Sequence, residues 1–215
     1  MKVLAVDTAF DGVGISLTVG RQPLANYYSL CRKRTATVLF EVLPELLSSA
    51  RMKLEDVDLY VVNQGPGSYT GVRIGMSFMK TLAQVHQKPL MGIPSLPFLA
   101  TLAEPVDFPF YVVLNCTRTE VFYARYRNSA TTVVAETEIH WSVMEEMGES
   151  FINQPVLLKH IPTHPSPLFD PVPKIPQRTA FPDPYQLGRL GEQIHEIQGA
   201  KPLIEVQPLY IKKEV

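Results

Sequence analysis

The run GPGSYTGVRIG, residues 65–75, constrains the fold of this chain more than any other feature. It joins a short apolar stretch, residues 59–62, to a long apolar-periodic segment, residues 70–87. Strand, glycine-rich turn and helix in that order are typical of an α/β unit. Glycines in such a turn allow close backbone approach, and Ser68 or Thr70 can cap the helix. The run therefore predicts a strand-to-helix turn.

The elements around that turn predict a mixed sheet. Residues 3–6, 13–19 and 24–30 are β-prone and are joined by short turns, which predicts an antiparallel meander. A helical segment, residues 36–50, lies between this meander and the next strand, and a short strand, residues 90–92, follows the second helix. We expect an α/β fold with a mixed sheet flanked by helices. The order is that of the ribonuclease H-like unit in actin-like ATPases.

The rest of the chain predicts a second, reduced lobe. Residues 111–115, 120–127 and 131–138 have the pattern of three more strands, so we expect lobes at 1–104 and 105–215. The second lobe repeats the order of elements of the first lobe but not its amino-acid sequence.

A proline-rich segment interrupts the second lobe. Nine of the 19 prolines lie between Pro155 and Pro184. Proline fixes φ and removes a backbone donor, so residues 162–184 are expected to form an irregular cap or a mobile loop. A last helix is predicted for residues 183–198.

Composition narrows the classes of function. The formal net charge is -1, which argues against a dedicated nucleic-acid binder but not against a subunit beside an RNA-binding partner. The two cysteines, Cys31 and Cys116, cannot build a disulfide framework. No apolar stretch reaches the roughly 18 residues of a membrane span. We therefore expect a cytoplasmic protein without a membrane segment.

The glycine-rich turn has two interpretations. One is an anion or nucleotide site, with Gly67 and Ser68 at the helix N-terminus and Asp7 and Thr8 at the end of the first strand. The other is a turn that needs glycine for geometry alone. The pattern matches neither the Walker A sequence nor the Rossmann fingerprint, so both interpretations stay open.

Two helices are apolar over more than one face. At about 100° per residue, the second helix has an apolar arc of about 200°, roughly twice that of a one-sided surface helix. The two helices either pack on each other within the monomer or present a shared apolar face to a partner. The candidate partner-interface residues are Val38, Leu39, Val42, Leu46, Gly71, Ile74, Gly75, Phe78 and Leu82.

Catalytic and metal sites find little support in the residues. His160 and His164 have the spacing of a metal pair on a helix, but Pro162 between them breaks that helix, and no third ligand is near. Cys116 has the character of a small buried hydrophobe. Ser68 lacks the context of a nucleophile elbow. We expect no catalytic residue, no metal and no cofactor.

Three segments carry a family resemblance. Residues 3–8 (VLAVDT), 65–75 (GPGSYTGVRIG) and 92–96 (GIPSL) resemble the bacterial TsaB (YeaZ) family, and residues 208–212 resemble its closing segment. The resemblance implies a two-lobed actin-like fold, related to the transferase TsaD but without its metal-binding histidine pair.

The same resemblance implies a function and partners. Family members are regarded as non-catalytic scaffolds that bind TsaD and, with TsaE, support threonylcarbamoyl modification of tRNA adenosine next to the anticodon. They also form homodimers through the amino-terminal lobe, so tRNA would be contacted indirectly, through partners. The alternatives are a glycoprotease-like hydrolase or ATPase, the older label for such sequences, and a stand-alone homodimer.

The chain departs from the family pattern at two places that bear on a site. Val38-Leu39-Phe40 stands where the family often has Leu-Leu-Pro in the first helix. Asn115 stands where an acidic residue is usual, which weakens the case for nucleotide or metal chemistry there.

Overall fold

The structure is a computed structural model of the chain. It describes residues 1–31, 34–115, 117, 119–129, 132–143, 146–147, 151, 154–160, 177 and 181–211, with residues 158–160 described by their backbone alone. His164, Cys116 and most of the proline-rich segment 155–184 lie outside these ranges, as does the side chain of His160.

The chain forms two compact units. Met1–Ser95 and Asp183–Leu209 make the first, and Leu96–Pro182 and Tyr210–Val215 make the second. This division differs from the ranges 1–104 and 105–215 expected from the sequence, because residues 96–104 belong to the second unit and residues 183–209 to the first.

The first unit has the order of elements that the sequence predicts, β-β-β-α-β-α-β. Its elements are β1 (Lys2–Asp7), β2 (Gly12–Val19), β3 (Gln22–Leu30), α1 (Thr35–Ser49), a 3₁₀ turn (Leu54–Asp56), β4 (Leu59–Gly65), α2 (Tyr69–His86) and β5 (Leu90–Pro94). Helix α3 (Ser95–Ala100) follows β5, and α4 (Pro184–Gln198) returns to this unit.

The first sheet is mixed, as predicted. Its strand order is β3-β2-β1-β4-β5. The pairs β1–β2 and β2–β3 are antiparallel, whereas β1–β4 and β4–β5 are parallel. In this register Val6 lies opposite Ile15 on one side and Val62 on the other. The carboxyl ends of β1, β4 and β5 therefore meet at one edge.

Successive residues of each strand face opposite layers of helices. Leu4 and Val6 belong to the core cluster that includes Leu39 of α1 and Met79 of α2. On the other face the sheet packs against α4, where Gly191 lies so close to β4 that a Cβ would overlap Val61. The unit is a sheet with α1 and α2 on one face and α4 on the other.

The second unit contains a similar sheet. Its strands are β6 (Phe110–Asn115), β7 (Glu120–Asn128), β8 (Val133–Ala135), β9 (His140–Val143) and β10 (Val156–His160). The order is β10-β6-β7-β8, and β9 also pairs with β7. As with β1 in the first sheet, β6 has an antiparallel neighbour on one side and a parallel neighbour on the other. The predicted strands 111–115 and 120–127 are present, and the third is shorter than expected.

Candidate functional site

A buried polar network joins the ends of three parallel strands. The Asp7 side chain is 1% exposed, and its Oδ1 accepts from the backbone N–H of Ala9 at 3.0 Å and from Asn63 Nδ2 at 2.9 Å. Asn63 Oδ1 in turn accepts from Ser95 Oγ at 2.8 Å and from the N–H of Gly65 at 3.0 Å. Asn63 thus links the carboxyl ends of β1, β4 and β5.

The glycine-rich turn packs directly on the loop after β1. The N–H of Ser68 donates to the carbonyl of Ala9 at 2.7 Å, and Thr8 Oγ1 donates to the carbonyl of Gly71 at 2.7 Å. A Cβ at Gly71 would overlap the Thr8 carbonyl oxygen, and one at Gly75 would overlap Thr8 Oγ1. The close backbone approach that the glycines predict is made by Thr8 of the same unit.

Two backbone donors at the start of α2, those of Gly71 and Val72, are bonded to Ser68. Ser68 is the N-cap, and its Oγ accepts from the N–H of Gly71 at 3.2 Å, while its carbonyl accepts from the N–H of Val72 at 2.8 Å. The four residues predicted to face an anion, Asp7, Thr8, Gly67 and Ser68, are brought together here. Asp7 is hydrogen-bonded to Asn63 and to the backbone of Ala9, Thr8 to the backbone of Gly71, and Ser68 to the backbone of Ala9 and Gly71, which favours the geometric interpretation of the turn. The anion role stays a prediction.

A tyrosine lies beside this network. Burial, with further contributions from the nearby carboxylates of Asp7 and Asp11, raises the pKa of Tyr28 to about 12. The phenol therefore stays protonated at neutral pH, where it adds no charge near Asp7.

A groove lies between the outer sides of α1 and α2. Its volume is about 600 Å³, and its apolar lining is formed by Leu39, Phe40, Tyr69, Ile74, Phe78 and Leu82. Phe40 is 68% exposed and Tyr69 58%. The rings of Phe40 and Phe78 meet edge to face at 5.2 Å, and the guanidinium of Arg73 stands 3.8 Å from the centre of the Tyr69 ring. The groove is mainly aromatic and aliphatic.

The predicted interface residues separate into three groups. Leu39, Ile74, Phe78 and Leu82 line the groove. Val38, Val42 and Leu46 are half-buried and pack on the core of the first unit. Gly71 and Gly75 are buried against Thr8, so the structure corrects their assignment to an outer face. The physical reason is that a glycine beside an apolar stripe serves close packing inside the unit as readily as contact with a partner.

Sequence reasoning missed the two most exposed rings of the groove. Phe40 and Tyr69 were not assigned to it, although Phe40 was noted as a departure from the family pattern. An aromatic residue in place of proline on an exposed helix turn is a signal that could have identified Phe40.

Among the residues that the structure describes, no three His, Cys, Asp or Glu side chains are grouped so that they could hold a metal ion. Within the same ranges, the helices are all too short or too polar to cross a membrane.

Comparison with known proteins places these features in a family. Residues 29–182, more than half of the chain, match the family model described as "TsaD: tRNA N6-adenosine threonylcarbamoyltransferase". The tRNA threonylcarbamoyladenosine biosynthesis protein TsaB of Bacillus subtilis is 32% identical over 127 residues, which are 59% of this chain and 56% of that protein. This chain thus spans little more than half the length of that relative.

Two further proteins agree. TsaB of Escherichia coli is 25% identical over 162 residues, 71% of this chain and 70% of that protein. The solved structure of YeaZ from Pseudomonas aeruginosa matches with a TM-score of 0.76 at 19% identity and covers 98% of this chain and 100% of that one. This structural likeness confirms the actin-like α/β fold. The family model and the identity to the two TsaB proteins together show that the chain belongs to this TsaD-related family, and within it to the TsaB (YeaZ) proteins.

Proposed function

We propose that this chain is a non-catalytic subunit that binds a TsaD-type transferase through the groove between α1 and α2. In this role it supports threonylcarbamoyl modification of the tRNA adenosine next to the anticodon, in the cytoplasm and without a cofactor of its own. The observation that carries the proposal is the exposed aromatic groove on a member of this family.

The groove has the character of a protein-binding surface. Clusters of exposed aromatic and aliphatic side chains with a polar rim are typical of interfaces, and aromatic residues and arginine dominate their energetics. Phe40 keeps 68% of its surface exposed, although burying a phenylalanine is worth about 1.5–3 kcal/mol. A partner that covers Phe40 and Tyr69 would gain this free energy.

The network at the strand ends supports a structural role better than a catalytic one. Three buried side chains form this network: Asn63 donates to Asp7 and accepts from Ser95. The Asn63 amide stands where a base would have to lie to activate Ser95, and an amide cannot take up a proton. Of the alternative functions, a glycoprotease-like hydrolase or ATPase, a hydrolase with Ser95 as its nucleophile therefore has less support.

The groove also suggests how partners are exchanged. A homodimer through α1 and α2 would cover the same aromatic residues as a TsaD homologue. The two associations would then compete, with the homodimer present when the chain is alone. A TsaE homologue would join the assembled complex, and tRNA would be contacted mainly through the partners.

Light scattering on the chain alone and mixed with the TsaD homologue of its own organism tests the proposal. We expect a homodimer that converts to a mixed complex. Phe40→Glu should abolish both species, because it places a charge in the apolar groove. Val85→Glu is the matched control, since Val85 is 69% exposed on α2 but does not line the groove. If no mixed complex forms with the wild-type chain, or if Phe40→Glu binds normally, the proposal is wrong.

A further inference from the structure

One face of the second sheet carries arginine side chains and aromatic rings side by side. Tyr123, Arg125 and Arg127 are alternate residues of β7, so their side chains lie on the same face, about 6.8 Å apart along the strand. Tyr111 of β6 lies opposite Arg125, and His140 of β9 lies opposite Tyr123. These five side chains form one continuous patch, which we call the arginine–tyrosine face.

The arginine–tyrosine face is open to solvent where its charges lie. The side chain of Arg127 is 55% exposed and that of Arg125 is 36% exposed. His140 is exposed as well. A ligand can therefore reach both guanidinium groups and the imidazole ring without displacing a part of the core.

The rings of this face are held in place by their neighbours. Phe151 packs edge to face on Tyr111, with the ring centres 4.5 Å apart, and on Tyr123, at 5.7 Å. The His140 ring lies 5.4 Å from that of Tyr123, and the two planes differ by 32°. The guanidinium of Arg125 lies 5.8 Å from the centre of the Tyr111 ring. Aromatic surface and positive charge are thus fixed next to each other.

The two arginines share one carboxylate. Arg127 donates to Glu136 Oε1 through Nε at 3.1 Å and through Nη2 at 2.9 Å. Arg125 Nε lies 3.3 Å from Glu136 Oε2 but makes no hydrogen bond in the described part of the chain. Across the same ranges, Glu136 is the only carboxylate that pairs with either arginine, so the cluster keeps one positive charge in excess. By contrast, Arg34 and Glu41 form a pair of one arginine and one glutamate.

We propose that the arginine–tyrosine face binds RNA that has unpaired bases. Its phosphates would lie on Arg125 and Arg127, because the planar guanidinium group matches the oxygens of a phosphate. An unpaired base would stack on the ring of His140 beside Tyr123, in the way that sheets with exposed aromatic residues bind single-stranded RNA. The net charge of -1 predicts that the chain alone binds RNA weakly, so this contact would add to those of a partner.

The combination of charge and rings favours RNA over other anions. A phosphorylated peptide or a lipid headgroup would satisfy the two arginines but offers no flat base to the ring of His140. A nucleic-acid duplex keeps its bases stacked on one another, whereas loops expose them. Unpaired RNA uses both the guanidinium groups and the rings.

The test is binding of an unmodified tRNA transcript from the same organism to the full chain, followed by fluorescence anisotropy at about 50 mM salt. The choice of tRNA as the probe rests on the proposed function. Arg127→Ala should weaken binding about threefold or more and lower the slope of log K against log salt by about one. Arg34→Ala is the matched control, since Arg34 is 66% exposed and is also paired with a glutamate. It should bind as the wild type does.

Two further variants separate charge from stacking. Glu136→Gln removes the shared negative charge at almost unchanged size, so it should tighten binding about threefold, whereas Glu41→Gln should leave it unchanged. His140→Ala removes the exposed ring and should weaken binding about fivefold or more.

Four outcomes overturn the proposal. The first is that the wild-type chain does not bind tRNA at this salt concentration. The second is an equal loss in Arg127→Ala and Arg34→Ala, which would show attraction by overall charge alone. The third is unchanged binding in Glu136→Gln. The fourth is a loss in Arg127→Ala without a loss in His140→Ala, which would indicate a phosphate site that does not distinguish RNA from a lipid headgroup or a phosphorylated peptide.

The same variant keeps this proposal separate from the proposed function. Arg127 does not line the α1–α2 groove, so Arg127→Ala should form the mixed complex with the TsaD homologue as the wild type does in light scattering. Loss of tRNA binding with an intact mixed complex supports the RNA site. A wild-type chain that binds tRNA but not the TsaD homologue would contradict the proposed function alone.

Discussion

The first unit contains two candidate sites. The side chains of one are buried and bonded to one another, whereas those of the other are exposed to solvent. At the ends of β1, β4 and β5, the polar side chains of Asp7, Asn63 and Ser95 are buried and bind one another. Along α1 and α2, the aromatic rings of Phe40 and Tyr69 stand exposed around a groove. The first site stabilises the fold, and the second is the surface that we propose binds a partner. Substitutions should therefore separate stability from binding.

The largest effect is expected for Gly71→Val. A Cβ at this position would overlap the Thr8 carbonyl, which is backbone and cannot rotate away. We expect a loss of about 3 kcal/mol or more in the free energy of unfolding, measured by urea denaturation. Ser77→Val, at an exposed position of the same helix, is the control and should cost less than about 1 kcal/mol. Equal stability of the two variants would contradict the close packing of the turn.

Asn63→Ala should have the next largest effect. It removes the partner of Asp7, of Ser95 and of the Gly65 N–H at one buried position. The expected loss is about 2–3 kcal/mol in the free energy of unfolding. Asn26→Ala is the matched control, because Asn26 makes an exposed hydrogen bond to Asp183. It should cost less than about 1 kcal/mol; a cost as large as that of Asn63→Ala would show that burial of the network is unimportant.

Phe78→Ala should affect both stability and binding. Phe78 lines the groove, contacts Phe40 and is also packed against the core cluster. We expect a moderate loss of stability, about 1–2 kcal/mol, together with weaker binding of the TsaD homologue. Thermal unfolding and titration of the partner measure the two effects. A loss of stability with unchanged affinity would show that Phe78 stabilises the fold and does not contribute to binding.

The smallest effect concerns alkaline pH. The pKa of Tyr28 is raised to about 12 from an ordinary value of 10.0, chiefly by burial and also by Asp7 and Asp11. Its contribution to stability is complete below about pH 10 and is lost as the pH rises toward 12. Tyr28→Phe should therefore flatten this part of the stability profile. Phe40→Ala removes no titrating group and should keep the wild-type slope; an unchanged slope in Tyr28→Phe would contradict the burial of the phenol.

Much of the first sheet could be predicted from local pattern. Three β-prone stretches with tight turns dictate a meander, and the glycine-rich run after residues 59–62 dictates a strand-to-helix turn. The position of α4 could not be predicted, because packing of Gly191 against Val61 is a contact between distant parts of the chain. The short strands β9 and β10 were missed, since their pairing with β7 and β6 carries little local signal.

The candidate site was predictable only in part for a related reason. The helical projection correctly shows two apolar faces on α2, and Val72, Met76, Met79 and Ala83 are buried. The projection does not show which of the two apolar faces is buried at each glycine. Gly71 and Gly75 were therefore assigned to the outer face, although both pack against Thr8. Exposure of Phe40 depends on where α1 sits relative to α2, which periodicity does not encode.

The most direct test of the account is calorimetric titration of the TsaD homologue into three chains: wild type, Phe40→Ala and Asn63→Ala. The titration is made at a temperature where all three are folded. We predict that Phe40→Ala weakens binding about tenfold or more while its stability changes by less than about 0.5 kcal/mol. Asn63→Ala should bind as the wild type does despite its lower stability. The opposite pattern, with full affinity in Phe40→Ala and lost affinity in folded Asn63→Ala, would contradict the account.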